Sequence, residues 1–166
     1  SHYMKTAEWV LCFVEVKDVP HSKAGDIWVV LIINGQDKDR KRRWQLQLAW
    51  WWIEGNESHV ECIQREVADE LSLVLDDTSF SEIWEDKFSM MWYKTWEEIL
   101  ITVNLMYTSI SHDDFLRIKS HTNDETLKII VMELNEVMVL SEECLRPGTL
   151  WHIKKLTWFR TQRAAS

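Results

Sequence analysis

The chain has 166 residues, a formal net charge of −8 and an apolar content of 46%. That length suits one domain with a sizeable core, and that apolar content argues against disorder. The acidic balance argues against a general nucleic-acid coating role, while leaving room for a small basic pocket or a carboxylate-rich metal site.

Ser1 and His2 ahead of Met4 read as a remnant of cloning, so Met4 is the expected natural start. Residues 1–3 are set aside, and residues 4–162 are expected to form a single domain. No apolar run approaches the ~20 residues that span a bilayer. No leader pattern opens the chain. A cytoplasmic protein without membrane contact is the expectation. Cys12, Cys62 and Cys144 are odd in number and widely spaced. They suit buried, reduced thiols better than a disulfide framework or a zinc site.

Residues 9–16 (WVLCFVEV) are rich in β-branched and aromatic side chains and read as a strand. Residues 27–33 (IWVVLII) form a short apolar run, suited to a buried strand, and Asn34-Gly35 marks a turn. A basic cluster at 38–43 (KDRKRR) occupies a loop, and residues 44–48 (WQLQL) alternate as a strand. The clearest helix follows. Ser58 and Glu61 form a capping box, and Val60, Ile63, Val67 and Leu71 recur at helical spacing. Strands are expected at 88–93, 99–107 and 127–132, with a helical turn at 113–119 and a short helix at 134–140. A C-terminal amphipathic helix is expected over 150–160, with Leu150, Ile153, Leu156 and Trp158 inward. Strands around one central helix make an α+β pattern.

The helix also carries Arg65, Glu66, Asp69 and Glu70. At about 100° per residue, Glu66 and Glu70 share one edge with Asp69 beside them. Carboxylates crowded within a turn repel one another unless a cation sits among them. Hard oxygen donors of this kind suit Mg²⁺ or Mn²⁺, which also bridge phosphates. A solvated acidic face is the plain alternative.

The stretch 51–73 (WWIEGNESHVECIQREVADELSL) resembles the Nudix signature G-x5-E-x7-R-E-U-x-E-E-x-G-U, where U is bulky and aliphatic. Glu57 stands at the first glutamate. Arg65-Glu66 follows at the right interval, then Val67, the acidic pair Asp69-Glu70, and Leu73. The resemblance implies an α/β/α sandwich with a mixed sheet. It implies hydrolysis of a nucleoside diphosphate derivative or another nucleotide, with Mg²⁺ or Mn²⁺ as cofactor. Glu66 and Glu70 match the principal metal-binding glutamates, and Asp69 a further acidic position. Glu57 and Arg65 match the pair that ties loop to helix. Glu125, beside Asp124, lies where a catalytic glutamate often completes such sites. Asp113 and Asp114 are weaker candidates for that role.

The sequence departs from the signature in its glycines. Trp51 replaces the leading one, Ala49-Trp50 precedes it, and Ser72 replaces the last. Trp restricts a backbone that Gly leaves free. A main-chain carbonyl at Trp50 can still ligate metal. The run Trp50, Trp51 and Trp52 is open to several readings. It stacks a base, forms a homodimer or protein-binding patch, was introduced by design, or is core. Arg42 and Arg43 are candidates for contact with substrate phosphates or a partner. The competing functional class is therefore a binding or self-associating module on the same fold, natural or engineered, with little catalysis.

Overall fold

The computed structural model describes residues 5–35, 37, 39–71, 74–75, 79–92, 94–121 and 127–165, without the side chains at 50–52, 69–71, 120–121, 127 and 161–165. The strands are β1 (Lys5–Lys17), β2 (Trp28–Asn34), β3 (Leu46–Gln47), β4 (Ala49–Trp52), β5 (Ser81–Trp92), β6 (Glu97–Ser111) and β7 (Leu127–Glu133). The helices are α1 (His59–Leu71), α2 (His112–His121), α3 (Leu134–Met138) and α4 (Thr149–Ala165).

One mixed sheet carries these strands in the order β3-β2-β1-β6-β5, with β4 on β1 and β7 on β2. β1 and β6 run parallel, from Lys5 opposite Ile99 to Lys17 opposite Ser111. The other edge of β1 is divided. Trp9–Cys12 pair with β4, while Glu15 and Val16 pair with β2. The sheet therefore forks around the middle of β1, and the segment leading to α1 enters at the fork.

Alternation along β1 separates two cores, because successive side chains point to opposite faces. On one face Val10, Cys12 and Val16 are buried with Cys62, Ile63 and Val67 of α1 and Phe115 and Ile118 of α2. On the other, Phe13 is buried with Leu134 and Val137 of α3 and Ile153 and Leu156 of α4. The architecture is the expected α/β/α sandwich. No helix among the described residues is long and apolar enough to cross a membrane.

Several boundaries differ from expectation. β1 starts earlier than residue 9, because β6 offers it a parallel edge along its whole length. β3 is only two residues long, and Trp44 is exposed outside it. β5 begins at Ser81, well before the expected 88, and α2 runs on to His121. Trp158 was expected inside but is 49% exposed, its ring edge-on to Trp84. Cys12 and Cys62 are buried free thiols as expected, whereas Cys144 is free and exposed.

The tryptophan run differs most from the glycine-bearing segment that the signature implies. Residues 49–52 form β4, with Trp50 opposite Leu11, Trp51 opposite Val10 and Trp52 opposite Trp9. Aromatic residues favour extended backbone, and β1 presents an edge that needs hydrogen bonds. The Trp50 carbonyl therefore belongs to a paired strand rather than to a glycine-type loop.

Candidate functional site

α1 starts as its sequence dictates. The Glu61 amide donates to Ser58 Oγ at 3.1 Å, and the Ser58 amide donates back to Glu61 Oε1 at 3.4 Å. This reciprocal cap satisfies donors that the first helical turn leaves open. His59 then pins the helix start to the sheet: Nδ1 lies 2.8 Å from Glu82 of β5 and Nε2 lies 3.5 Å from Glu8 of β1.

Ahead of the cap, residues 54–57 form a tight turn. Its Gly55 has φ +58°, a conformation that costs a side-chain-bearing residue strain. The Glu54 amide donates to Glu57 Oε1 at 2.9 Å. Arg65 then locks this turn to α1. Its Nε and one terminal nitrogen donate to the two Glu57 oxygens at 3.0 and 2.8 Å, and its other terminal nitrogen donates to Glu66 Oε1 at 2.6 Å. Planar guanidinium suits such forked contacts. The Arg65 hydrogen bonds, followed by the Glu54 amide, hold the Glu57 carboxyl down at about 2. Glu57 therefore stays anionic near neutrality and acts as an anchor. Cys62, in the same corner, has its thiol pushed up to about 12 by burial and then by the Glu57 charge, so it is a poor nucleophile.

The expected site residues are thus sorted. Glu57, Arg65 and Glu66 come together. Asp69 and Glu70 have their main chain in α1, with Glu70 one turn beyond Glu66. Glu125 and Asp124 lie outside the described residues. Asp114 is an α2 surface residue paired with Arg117 at 2.9 Å. Arg42 and Arg43 are used within their own turn. Arg42 donates to Gln45 Oε1 at 3.1 Å, and Arg43 donates to the Asp37 carbonyl at 2.7 Å. Among the described residues no group of three or more His, Cys, Asp or Glu side chains is gathered closely enough to hold a metal. The donor type still fits Mg²⁺ or Mn²⁺: Glu66 contributes hard oxygen, and position 70 lies on the same helix edge.

A second feature escaped the sequence reading. A cavity of about 410 Å³ opens on the α4 face, between β1, β5 and the start of α4. Trp9, Phe88 and Trp151 give it aromatic walls. Gln47, Asp86, Arg146 and His152 contribute polar groups. Gln47 and Leu48 of its lining lead directly into β4, and β4 leads into the 54–57 turn. Arg146 is braced by Asp37 Oδ2 at 2.8 Å and by Gln47 Oε1 at 3.0 Å. Arg43 holds the same Asp37 from behind, so the basic cluster supports the cavity rim. Burial holds the His152 imidazole below its ordinary value, which keeps it neutral near pH 7. These residues are scattered from 9 to 152, and none belongs to a motif.

No family model matches the sequence, and no curated protein matches it. Solved structures do. A mutT/nudix family protein from Listeria innocua superposes with TM-score 0.68 at 14% identity, covering 99% of each chain. The NUDIX domain of Shewanella oneidensis NrtR, solved with ADP ribose, gives 0.58 at 10% identity over 95% of this chain and 89% of that one. The chain spans 65% of the longer NrtR chain. C. elegans Ap4A hydrolase gives 0.50 at 11% identity, over 95% of this chain and 98% of that one. With a forked mixed sheet between helices, and α1 clamped by Arg65 behind a capped turn, this chain has the Nudix fold.

Proposed function

We propose that the chain is a divalent-metal-dependent hydrolase of a pyrophosphate linkage in a nucleoside diphosphate derivative or nucleotide. The observation that carries this reading is the Glu57–Arg65–Glu66 clamp, which fixes the turn before α1 and the carboxylate edge of α1 relative to each other. Glu66, Glu70 and Asp69 would hold Mg²⁺ or Mn²⁺, with Glu125 as a catalytic acid or base. A metal bound there polarises phosphate oxygens and activates water. The aromatic cavity suits the nucleoside part, since planar rings stack on bases. Arg43 then acts on substrate indirectly, by holding the Asp37 main chain whose carboxylate braces Arg146, while Arg42 is used on Gln45. The ADP-ribose complex of one fold relative and the hydrolase name of another are in keeping with such a substrate.

The test is direct. Glu66→Gln and Glu70→Gln each remove one anionic ligand. Both should weaken Mn²⁺ binding by calorimetry at least tenfold and cut phosphate release from nucleoside diphosphate compounds by orders of magnitude, with unchanged thermal unfolding. Mn²⁺ affinity unchanged in both variants would leave α1 as a solvated acidic face.

One observation favours the second reading, a binding or self-associating module. Trp84, Trp151 and Trp158 are exposed on one surface, with Lys155 Nζ 4.0 Å from the Trp84 ring centre and 4.8 Å from that of Trp151. Trp is enriched where proteins bind partners. Sedimentation of the chain over a concentration series, beside the turnover assay, separates the classes. An inactive dimer or oligomer favours the module.

A further inference from the structure

We infer that the cavity on the α4 face selects a guanine base, and that Asp86 is the residue that selects it. This inference rests on the nucleotide reading above and adds the identity of the base.

Trp9, Phe88 and Trp151 make the walls aromatic, with Trp9 and Phe88 rings edge-to-face at 6.2 Å. Such walls take a flat heteroaromatic group of any kind and do not choose among bases. Choice falls to the polar groups. Gln47 Oε1 and Arg146 are tied to each other, and Arg146 is tied again to Asp37. Asp86 is different. Its recorded bond is from the Lys87 amide to Oδ1 at 3.0 Å. A carboxylate has about four acceptor positions, so capacity remains on both oxygens. The nearest full charge of opposite sign on its own strand, Lys87, is turned to Glu85 at 3.5 Å.

An ionised carboxylate accepts and cannot donate. It therefore matches a base edge with two adjacent N–H donors. Guanine offers that pair at N1–H and the 2-amino group. Adenine and cytosine each place a ring-nitrogen acceptor beside the amino group, which would face the carboxylate oxygen with a lone pair. Uracil flanks its one N–H with two carbonyls. His152 lines the same cavity. Its imidazole is engaged by the Gly148 backbone, so the choice of base falls to Asp86. The Asp86 carboxylate thus complements two adjacent donors. A site built around hydrogen bonds discriminates against analogues that lack them.

The experiment uses the full chain and measures binding by tryptophan quenching, without metal. Guanosine 5′-diphosphate should bind at least about tenfold more tightly than adenosine 5′-diphosphate. Inosine 5′-diphosphate, which lacks only the 2-amino group, should fall between them. Asp86→Asn, which replaces an acceptor by a donor, should erase the guanine preference while leaving adenosine 5′-diphosphate binding within about threefold. The inosine comparison needs no variant and so stands even if Asp86→Asn folds poorly. Equal binding of the guanine and adenine compounds, or equal binding of guanosine and inosine diphosphates, overturns the inference and leaves the nucleotide reading in place. Binding of none of the diphosphates, either without metal or after addition of Mn²⁺, overturns the nucleotide reading, and the inference with it.

Discussion

Arg65 is the residue on which the candidate site turns, because one guanidinium serves two carboxylates with opposite duties. Its fork holds Glu57 by two bonds and Glu66 by one. Arg65 and the Glu54 amide together keep the Glu57 carboxyl at about 2. A carboxyl lowered in the folded state stabilises the fold above its ordinary value of 4.5. That contribution is lost as the pH falls from there through about 2. Arg65→Lys keeps the charge but loses the fork. The Glu57 titration midpoint, followed by carboxyl-carbon NMR, should then rise from about 2 toward the ordinary range. A midpoint that stays put would assign the effect to the Glu54 amide instead. The variant should also weaken Mn²⁺ binding less than Glu66→Gln does, since it leaves every proposed ligand in place.

At the scale of elements, α1 illustrates what a sequence discloses well. Capping box and apolar stripe are local features with a fixed period, and Ser58, Glu61, Val60, Ile63 and Val67 are found where the spacing predicts them, with the main chain of positions 66, 69 and 70 in the same helix. The reciprocal cap makes Ser58→Ala a clean test of the helix start. It should cost about 1 kcal/mol in urea unfolding. A cost near zero would mean that packing of Cys62 and Ile63 alone holds the first turns. β4 and β5 illustrate the opposite case. The signature implies a glycine-bearing segment at 49–51, while pairing with Trp9–Cys12 of β1 makes residues 49–52 a strand. Pairing partners 40 residues apart leave no local trace. The beginning of β5 was hidden for another reason. The register shifts between Glu82 and Trp84, so the period of two is broken inside SEIWED.

At the scale of the whole molecule, the fold and the acidic helix were legible but the cavity was not. Gln47, Asp86, Arg146 and His152 meet only after β3, β5 and the start of α4 are assembled. The same holds for the polar bridge through the α4-side core. Glu15 of β1 is 3% exposed, yet carries an ionisable group. It accepts from Tyr107 of β6 at 2.6 Å, from Lys17 at 3.0 Å and from Arg160 of α4. Three elements distant in sequence are thereby fastened at one carboxylate. A buried charge deprived of its partner is costly, whereas a satisfied one is tolerated. Arg160→Ala should therefore destabilise the chain by about 3 kcal/mol, with Lys17 limiting the loss. Tyr107 adds a pH signature. Burial first, and then the bond to Glu15, push its phenol up to about 12. A phenol raised in the folded state favours folding fully below its ordinary value of 10. That advantage disappears as the pH rises from 10 through about 12, because only the unfolded chain ionises over most of that interval. Melting temperatures taken from pH 8 to 12 should fall across this window in the parent chain. Tyr107→Phe should start from a lower melting temperature at pH 8, having lost the hydroxyl bond, and show a shallower alkaline decline. A decline of equal steepness in both would place the alkaline sensitivity elsewhere, and would reduce the Glu15 bridge to its pairing with Arg160 and Lys17.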